Sequence, residues 1–288
     1  MYRTAKPFFM SVITPLHAGS GQDLGIIDQP IQRERHTGFP KIESSSLKGS
    51  IREVFSEIAG EDTEKKKELS LIFGDEKAEH AGALGFTDAR LLLFPVKSMK
   101  GVFTYITCPQ VLKKFKEDMA LAKIIFIADV TYSIEQGKCL VANEEHIGFK
   151  GNVILEEYGF KIEESDISNL AGKLVEITGI KEITNKLVIL PDNDFRDFVN
   201  LSTEVITRTK IKTATGTVEG GALFTEEYLP AETVMYSLAL ASPTFTKEQK
   251  SETEVMQYFT KNIPSVIQIG GNATLGKGLV QIIQTEEE

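Results

Sequence analysis

Residues 17–52 read HAGSGQDLGIIDQPIQRERHTGFPKIESSSLKGSIR, and the rest of the chain is organised around this stretch. It follows an apolar run, residues 6–14, that reads as a buried β-strand. About 25 residues then show neither helical nor strand periodicity, and a loop that long in a compact domain is functional or disordered. Apolar anchors at Ile26, Ile27, Ile31, Phe39 and Ile42 argue for order. Gly19, Gly21, Gly25 and Gly38 supply unusual backbone freedom. Asp28 stands just ahead of Pro30, with Arg33, Arg35 and His36 close behind. The loop ends in Ser44, Ser45 and Ser46, a cluster suited to capping a helix. Beyond it Leu47, Ile51, Val54, Phe55 and Ile58 recur at helical spacing, while Lys48 and Arg52 lie four apart on another side.

Working outward, the chain has 288 residues, 41% hydrophobic and 25% charged, and can bury a sound core. Its net charge of −9 argues against coating nucleic acid by bulk electrostatics, so any such footprint must be local. Two local clusters exist. Arg33, Arg35, Lys41, Lys48 and Arg52 face only Glu34 and Glu43 between residues 31 and 52, and Arg208, Lys210 and Lys212 lie in a stretch free of acids from 205 to 218. On charge alone both read as solvated faces. Acidic residues elsewhere, among them Glu286, Glu287 and Glu288, face neighbouring subunits or keep the protein soluble. Cys108 and Cys139 form no CxxC pair and no zinc spacing, which fits a reducing cytoplasm. No apolar run reaches the roughly 20 residues of a membrane helix, so no membrane partner is expected. Arg3 and Lys6 border an apolar N-terminal run, but Pro7 and Pro15 bracket it and no cleavage pattern follows, so it reads as a first strand rather than a signal peptide.

Strand, helix 44–58 and a charged surface helix in 60–71 are followed by strands at 83–96 and 102–107, then a helix opened by Pro109. That order fits a split βαβ, hence an α+β fold with a ferredoxin-like or RRM-like core. Residues 123–162 read as β-rich insertions, with short helices at 166–174 and 192–201. A protruding β-hairpin is expected at about 205–221, where β-branched residues alternate with bases around Gly216. A strand at 233–241, a helix at 247–261 and strands at 265–269 and 279–283 close the chain. With no repeats or linkers, residues 1–288 read as one domain with insertions, two fused ferredoxin-like halves being the other arrangement.

GGNATLGKG, residues 270–278, comes within one residue of the phosphate loop GxxxxGK[ST]. Gly278 stands where the magnesium-binding hydroxyl belongs, and the strand-like LVQII follows instead of a helix, so an NTPase is excluded. Gly270, Gly271 and Lys277 form either a tight turn or a backbone contact for phosphate. Ser45, Ser46, Lys48 and Arg52 form either a solvated helix face or an anion site at the helix start. Asp28 alone is a turn or cap residue more often than a catalytic one. His17 is a strand-end hydrogen bonder or an acid–base group. Glu226, Glu227 and Tyr228 read as an acidic surface turn. His80 and His146 have no ligand partners at useful spacing.

The run LxxxDQPIQRERHTGFPxIxxSSLKGxxR resembles the RAMP superfamily of CRISPR proteins, and more narrowly the repeated backbone subunit of the Cmr (type III-B) complex. AGALGFTDARLLLFPVKS (81–98), GGALFTEEYLP (220–230) and the glycine-rich 270–278 extend the likeness over most of the chain, with the middle third weakest. The resemblance implies guide crRNA bound along a head-to-tail filament of copies, with other Cmr subunits as partners. It further implies cleavage of complementary target RNA at regular intervals. It puts the cleavage aspartate, and a divalent metal (Mg or Mn), on Asp28, with His17, Glu227 and Tyr228 as secondary catalytic candidates. It puts RNA contacts on Arg33, Arg35, His36, Ser45, Ser46, Lys48, Arg52, Arg208, Lys210, Lys212, Gly270, Gly271 and Lys277, the hairpin being the family's thumb. The competing reading is a scaffold that binds RNA while another subunit cuts.

Overall fold

Phe8 and Phe9 sit side by side in the first strand, β1 (Thr4–Val12), and both are buried. Successive strand residues face opposite sides of a sheet, so this sheet is covered on both. Phe8 packs its ring against Phe86 and Phe259, while Phe9 packs against Phe115. The largely apolar run predicted such a strand.

The structure, a computed structural model, describes residues 2–23, 25–75, 80–126, 128, 130–212, 214–245 and 249–285, with the backbone alone for 210 and 218–222. After β1 and the long loop come β2 (Lys41–Ile42), α1 (Ser44–Ala59) and α2 (Thr63–Phe73). Next are β3 (Leu84–Phe86), β4 (Ala89–Lys97), β5 (Phe103–Thr107) and α3 (Pro109–Leu121). The middle third holds β6 (Lys138–Val141), α4 (Glu144–Ile147), β7 (Asn152–Leu155), β8 (Tyr158–Ile162) and α5 (Ser168–Thr178). It continues through α6 (Ile183–Lys186), β9 (Leu187–Ile189) and α7 (Asp192–Leu201). The last third is β10 (Glu204–Ile211), β11 (Val218–Tyr228), β12 (Val234–Ala241), α8 (Glu252–Asn262), β13 (Val266–Gln268) and β14 (Leu279–Gln284).

Strands β14, β1, β12 and β4 lie adjacent in that order, every pair antiparallel. With α1 following β1 and α8 following β12, this is the βαββαβ arrangement expected. Both helices cover the same face, since Phe55 of α1 packs on Tyr258 of α8. The expected membership differs in one respect. The third strand and second helix are β12 and α8, not β5 and α3, so everything between β4 and β12 is inserted. Helix α3 covers the opposite face instead, where Phe115 meets Phe9 and Tyr236. Local order cannot distinguish these choices, because a strand–strand–helix run satisfies either. Beyond β4 the sheet continues through β5, β9, β6, β8 and β7 with parallel and antiparallel pairs mixed, so the second ferredoxin-like half is not found among the described residues.

Two local expectations change. The serines do not cap α1. Glu43 occupies the cap position without a side-chain bond, and the Ser44 amide donates to Asp88 Oδ1 at 2.9 Å. Helix α8 begins at Glu252 behind a Ser251–Glu254 capping box; residues 247 and 248, in the expected first turn, and Glu286, Glu287 and Glu288 lie outside the described residues. The hairpin β10–β11 forms its own two-stranded sheet, longer than expected, from Glu204↔Tyr228 outward to Ile211↔Val218. Both cysteines are buried thiols. No helix among the described residues is long and apolar enough to cross a membrane.

Candidate functional site

The long loop is held at its start and near its middle by the base of the hairpin. Leu16 and Leu229 exchange backbone hydrogen bonds at 2.9 Å, and the Gln29 amide donates to the Thr225 carbonyl while Glu227 N–H donates to the Gln29 carbonyl, each at 3.0 Å. Gln29 is thereby laid against Glu226 of β11 as an isolated parallel bridge. This docking orders a stretch without periodicity, because its backbone groups find partners outside itself.

Asp28 emerges from that bridge with an exposed side chain. Its Oδ2 accepts from the Thr225 amide at 2.7 Å and the Thr225 hydroxyl at 2.9 Å. The Asp28 amide donates back to the same hydroxyl at 3.0 Å. These donors favour the charged form, so the Thr225 backbone and side chain hold the carboxyl below its ordinary value.

Alternation along β11 sends Glu226 and Tyr228 to one side and Glu227 to the other. On the first side the Tyr228 hydroxyl donates to Glu226 Oε2 at 2.6 Å and accepts from Asn272 Nδ2 at 2.9 Å and Arg208 Nη2 at 2.5 Å. Arg208 Nε also donates to Glu226, and Asn272 to Glu226 Oε1 at 3.1 Å. Burial pushes the Glu226 carboxyl up, but the bonds from Tyr228, Asn272 and Arg208 outweigh it and leave it below its ordinary value. Burial raises the Tyr228 hydroxyl. The His17 ring packs on Tyr228 with centroids 5.5 Å apart, and its Nδ1–H donates to the Glu227 carbonyl at 2.7 Å. That bond leaves Nε2 of a neutral ring as the acceptor. Lys277 Nζ lies 5.1 Å from the Tyr228 ring centre.

On the second side Glu227 is buried. Its carboxylate accepts from Arg33 at 2.5 Å, Thr203 at 2.8 Å and the Ile31 amide at 3.0 Å. Arg33 in turn donates to the carbonyls of Gly38 and Val199 and to Asn200 Oδ1. Both residues therefore brace the loop. The Glu227 carboxylate and the Arg33 guanidinium, expected respectively at the reacting bond and on an RNA phosphate, are thus each engaged by partners within the protein. Tyr228, also fully buried, reaches the site only through its hydroxyl.

Of the other expected contacts, Arg35 and His36 are exposed, with His36 3.8 Å from Glu34. Ser45 is exposed, and Ser46 Oγ accepts from Gln32 Nε2 at 3.2 Å. Gln32 Oε1 accepts from the amide of Glu43, the residue before α1, at 2.7 Å. Half-buried Lys48 is pushed below its ordinary value by burial and by the charge of Arg52, an arrangement that an anion would relieve. Arg208 is tied to Glu226 and Tyr228 rather than extended. Lys212 is exposed, and the Lys210 side chain lies outside the described residues. The turn at 270–278 joins β13 to β14 and packs on the loop: the Gly271 amide donates to the His17 carbonyl at 2.9 Å. Gly270 has φ +83°, and a Cβ there would collide with that same carbonyl.

Sequence reasoning missed Thr225, Thr203, Asn272 and Gln32. Asn272 did carry a signal, since asparagine tolerates the left-handed backbone it adopts at φ +64°. The threonines and the glutamine carried none. No group of three or more potential metal ligands occurs among the described residues. Asp28 fits a divalent metal as one donor, because such ions are held by one or two carboxylates completed by phosphate and water.

A loop folded onto a βαββαβ core, a hairpin at its side and a glycine-rich turn beneath it define a class of protein, and a family profile makes the same assignment: the description "RAMP superfamily" matches residues 9–281, and the chain belongs to that superfamily. Within it, the chain is 41% identical over 284 residues to the CRISPR system Cmr endoribonuclease Cmr4 of Pyrococcus furiosus, covering 95% of this chain and 93% of that one. It superposes on oligomeric Cmr4 from the same organism with a TM-score of 0.74 at 32% identity, over 99% of each chain. A subunit of the type III-B Cmr-beta complex bound to cognate target RNA gives a TM-score of 0.78 at 27% identity, over 99% of this chain and 98% of the other.

Proposed function

We propose that this chain is the repeated backbone subunit of a type III-B CRISPR complex, which binds guide RNA along a filament and cuts complementary target RNA through Asp28. One observation carries the reading: Asp28 is an exposed carboxylate at the point where the loop is pinned to the hairpin base, and Thr225 fixes its direction. RNA brings its own nucleophile, the 2′-hydroxyl, so the protein has mainly to hold that hydroxyl in line with the adjacent phosphate. Attack closes a 2′,3′-cyclic phosphate and releases a 5′-hydroxyl.

Asp28 orients the 2′-hydroxyl and accepts its proton. A carboxyl held below its ordinary value is a weak base but stays ionised through the neutral range, so its larger contribution is orientation and charge. In this reading His17 contacts phosphate or leaving oxygen through Nε2, its second nitrogen. A divalent ion, with Asp28 as one ligand, would neutralise phosphate charge. Lys48, Arg52 and Arg35 grip RNA backbone without reading sequence, as a subunit serving any guide requires. Lys212 extends that footprint along the hairpin.

The test is to assemble the complex and map the cuts on end-labelled target RNA. Evenly spaced breaks bearing 2′,3′-cyclic phosphate and 5′-hydroxyl ends support this reading. A single break, or none, supports the scaffold.

A further inference from the structure

Thr225 is the only residue outside the long loop whose side chain is hydrogen-bonded to both the carboxylate and the amide of Asp28 among the described residues. Its hydroxyl accepts from the Asp28 amide, so its proton must point at Oδ2. Two donors, the Thr225 amide and hydroxyl, then converge on one carboxylate oxygen and fix the plane of the group. Without them an exposed aspartate samples several rotamers. Thr225 belongs to the hairpin, opposite Thr207, not to the loop. The side chain that aims Asp28 therefore rides on the element flanking the loop.

We infer that Thr225 is a positioning residue for RNA cleavage, which holds the Asp28 carboxylate in its productive orientation and couples that orientation to the hairpin. The inference rests on the proposed role of Asp28. Charged groups flanking the pair are Asp23 on the loop, whose amide donates to the Asp28 carbonyl at 3.0 Å, and Arg208 with Glu226 on the hairpin. The last two are joined to each other. Removing the hydroxyl withdraws one of the two donors from Oδ2 and leaves the Asp28 amide without its acceptor.

The experiment compares Thr225→Val, Thr225→Ser and Asp28→Asn in the assembled complex, measuring the single-turnover cleavage rate at saturating target together with assembly, guide binding and target binding. For Thr225→Val, unchanged assembly and binding with a cleavage rate lower by about tenfold are expected. Thr225→Ser, which keeps the hydroxyl, should restore the rate. A purely structural role would weaken assembly or target binding along with the rate, and that result would overturn the inference. So would a Thr225→Val complex with normal rate while Asp28→Asn is inactive. An active Asp28→Asn complex would instead remove the role of Asp28 itself, and is thereby distinguishable.

Discussion

The Arg33 guanidinium meets the buried Glu227 carboxylate at 2.5 Å, joining the middle of the long loop to the strand that ends the hairpin. Removing one partner of such a pair leaves the other charge buried and uncompensated. Glu227→Ala should cost about 3 kcal/mol in denaturant unfolding of the purified chain. A loss of cleavage with unchanged unfolding would mean that Glu227 acts at the reaction after all.

Arg33 and Arg35 lie two apart in sequence and should behave oppositely. Arg33→Ala removes donors to Glu227, Gly38, Val199 and Asn200 and should destabilise the chain. Arg35→Ala, at an exposed site, should stay within about 0.5 kcal/mol. It should weaken guide RNA binding and lower the slope of log affinity against log salt by about 1. Titrations at several salt concentrations, paired with unfolding curves, separate the two effects.

Lys48→Ala should likewise lower the salt slope by about 1, and do so equally for guides of different sequence. Burial, with the charge of neighbouring Arg52 adding to it, depresses the Lys48 amine, so binding a phosphate should pull that amine back up. A guide-dependent loss would mean that Lys48 reads bases.

The glycine-rich turn offers a graded comparison. Gly276→Ala meets open space and carries only the backbone penalty of φ +68°, about 1 kcal/mol. Gly270→Ala adds a collision with the His17 carbonyl and should cost about 2–3 kcal/mol. Because that carbonyl lies at the root of the loop, Gly270→Ala should also slow cleavage, whereas Gly276→Ala should not.

Much of this arrangement was legible in the residues. The largely apolar run announced β1, alternating β-branched residues announced the hairpin, and the glycine spacing announced the turn. The departures share one cause: sequence shows neighbours along the chain, not across it. Pro109 opens a genuine helix, but only β12, far downstream, decides that α3 lies on the opposite face. Glu226 and Glu227 are equivalent acids in sequence. A strand's alternation sends one toward Tyr228 and the other into the loop, and which goes where depends on Arg33 and Asn272, each distant in the chain. Thr225 has no signature at all, since any strand tolerates a threonine.

The central claim concerns one carboxylate. Single-turnover cleavage of labelled target RNA by complex assembled with Asp28→Asn tests it most directly, because that change keeps side-chain volume while removing the charge. The account predicts intact target RNA with assembly and target binding unchanged; evenly spaced cuts at the unmodified rate would contradict it.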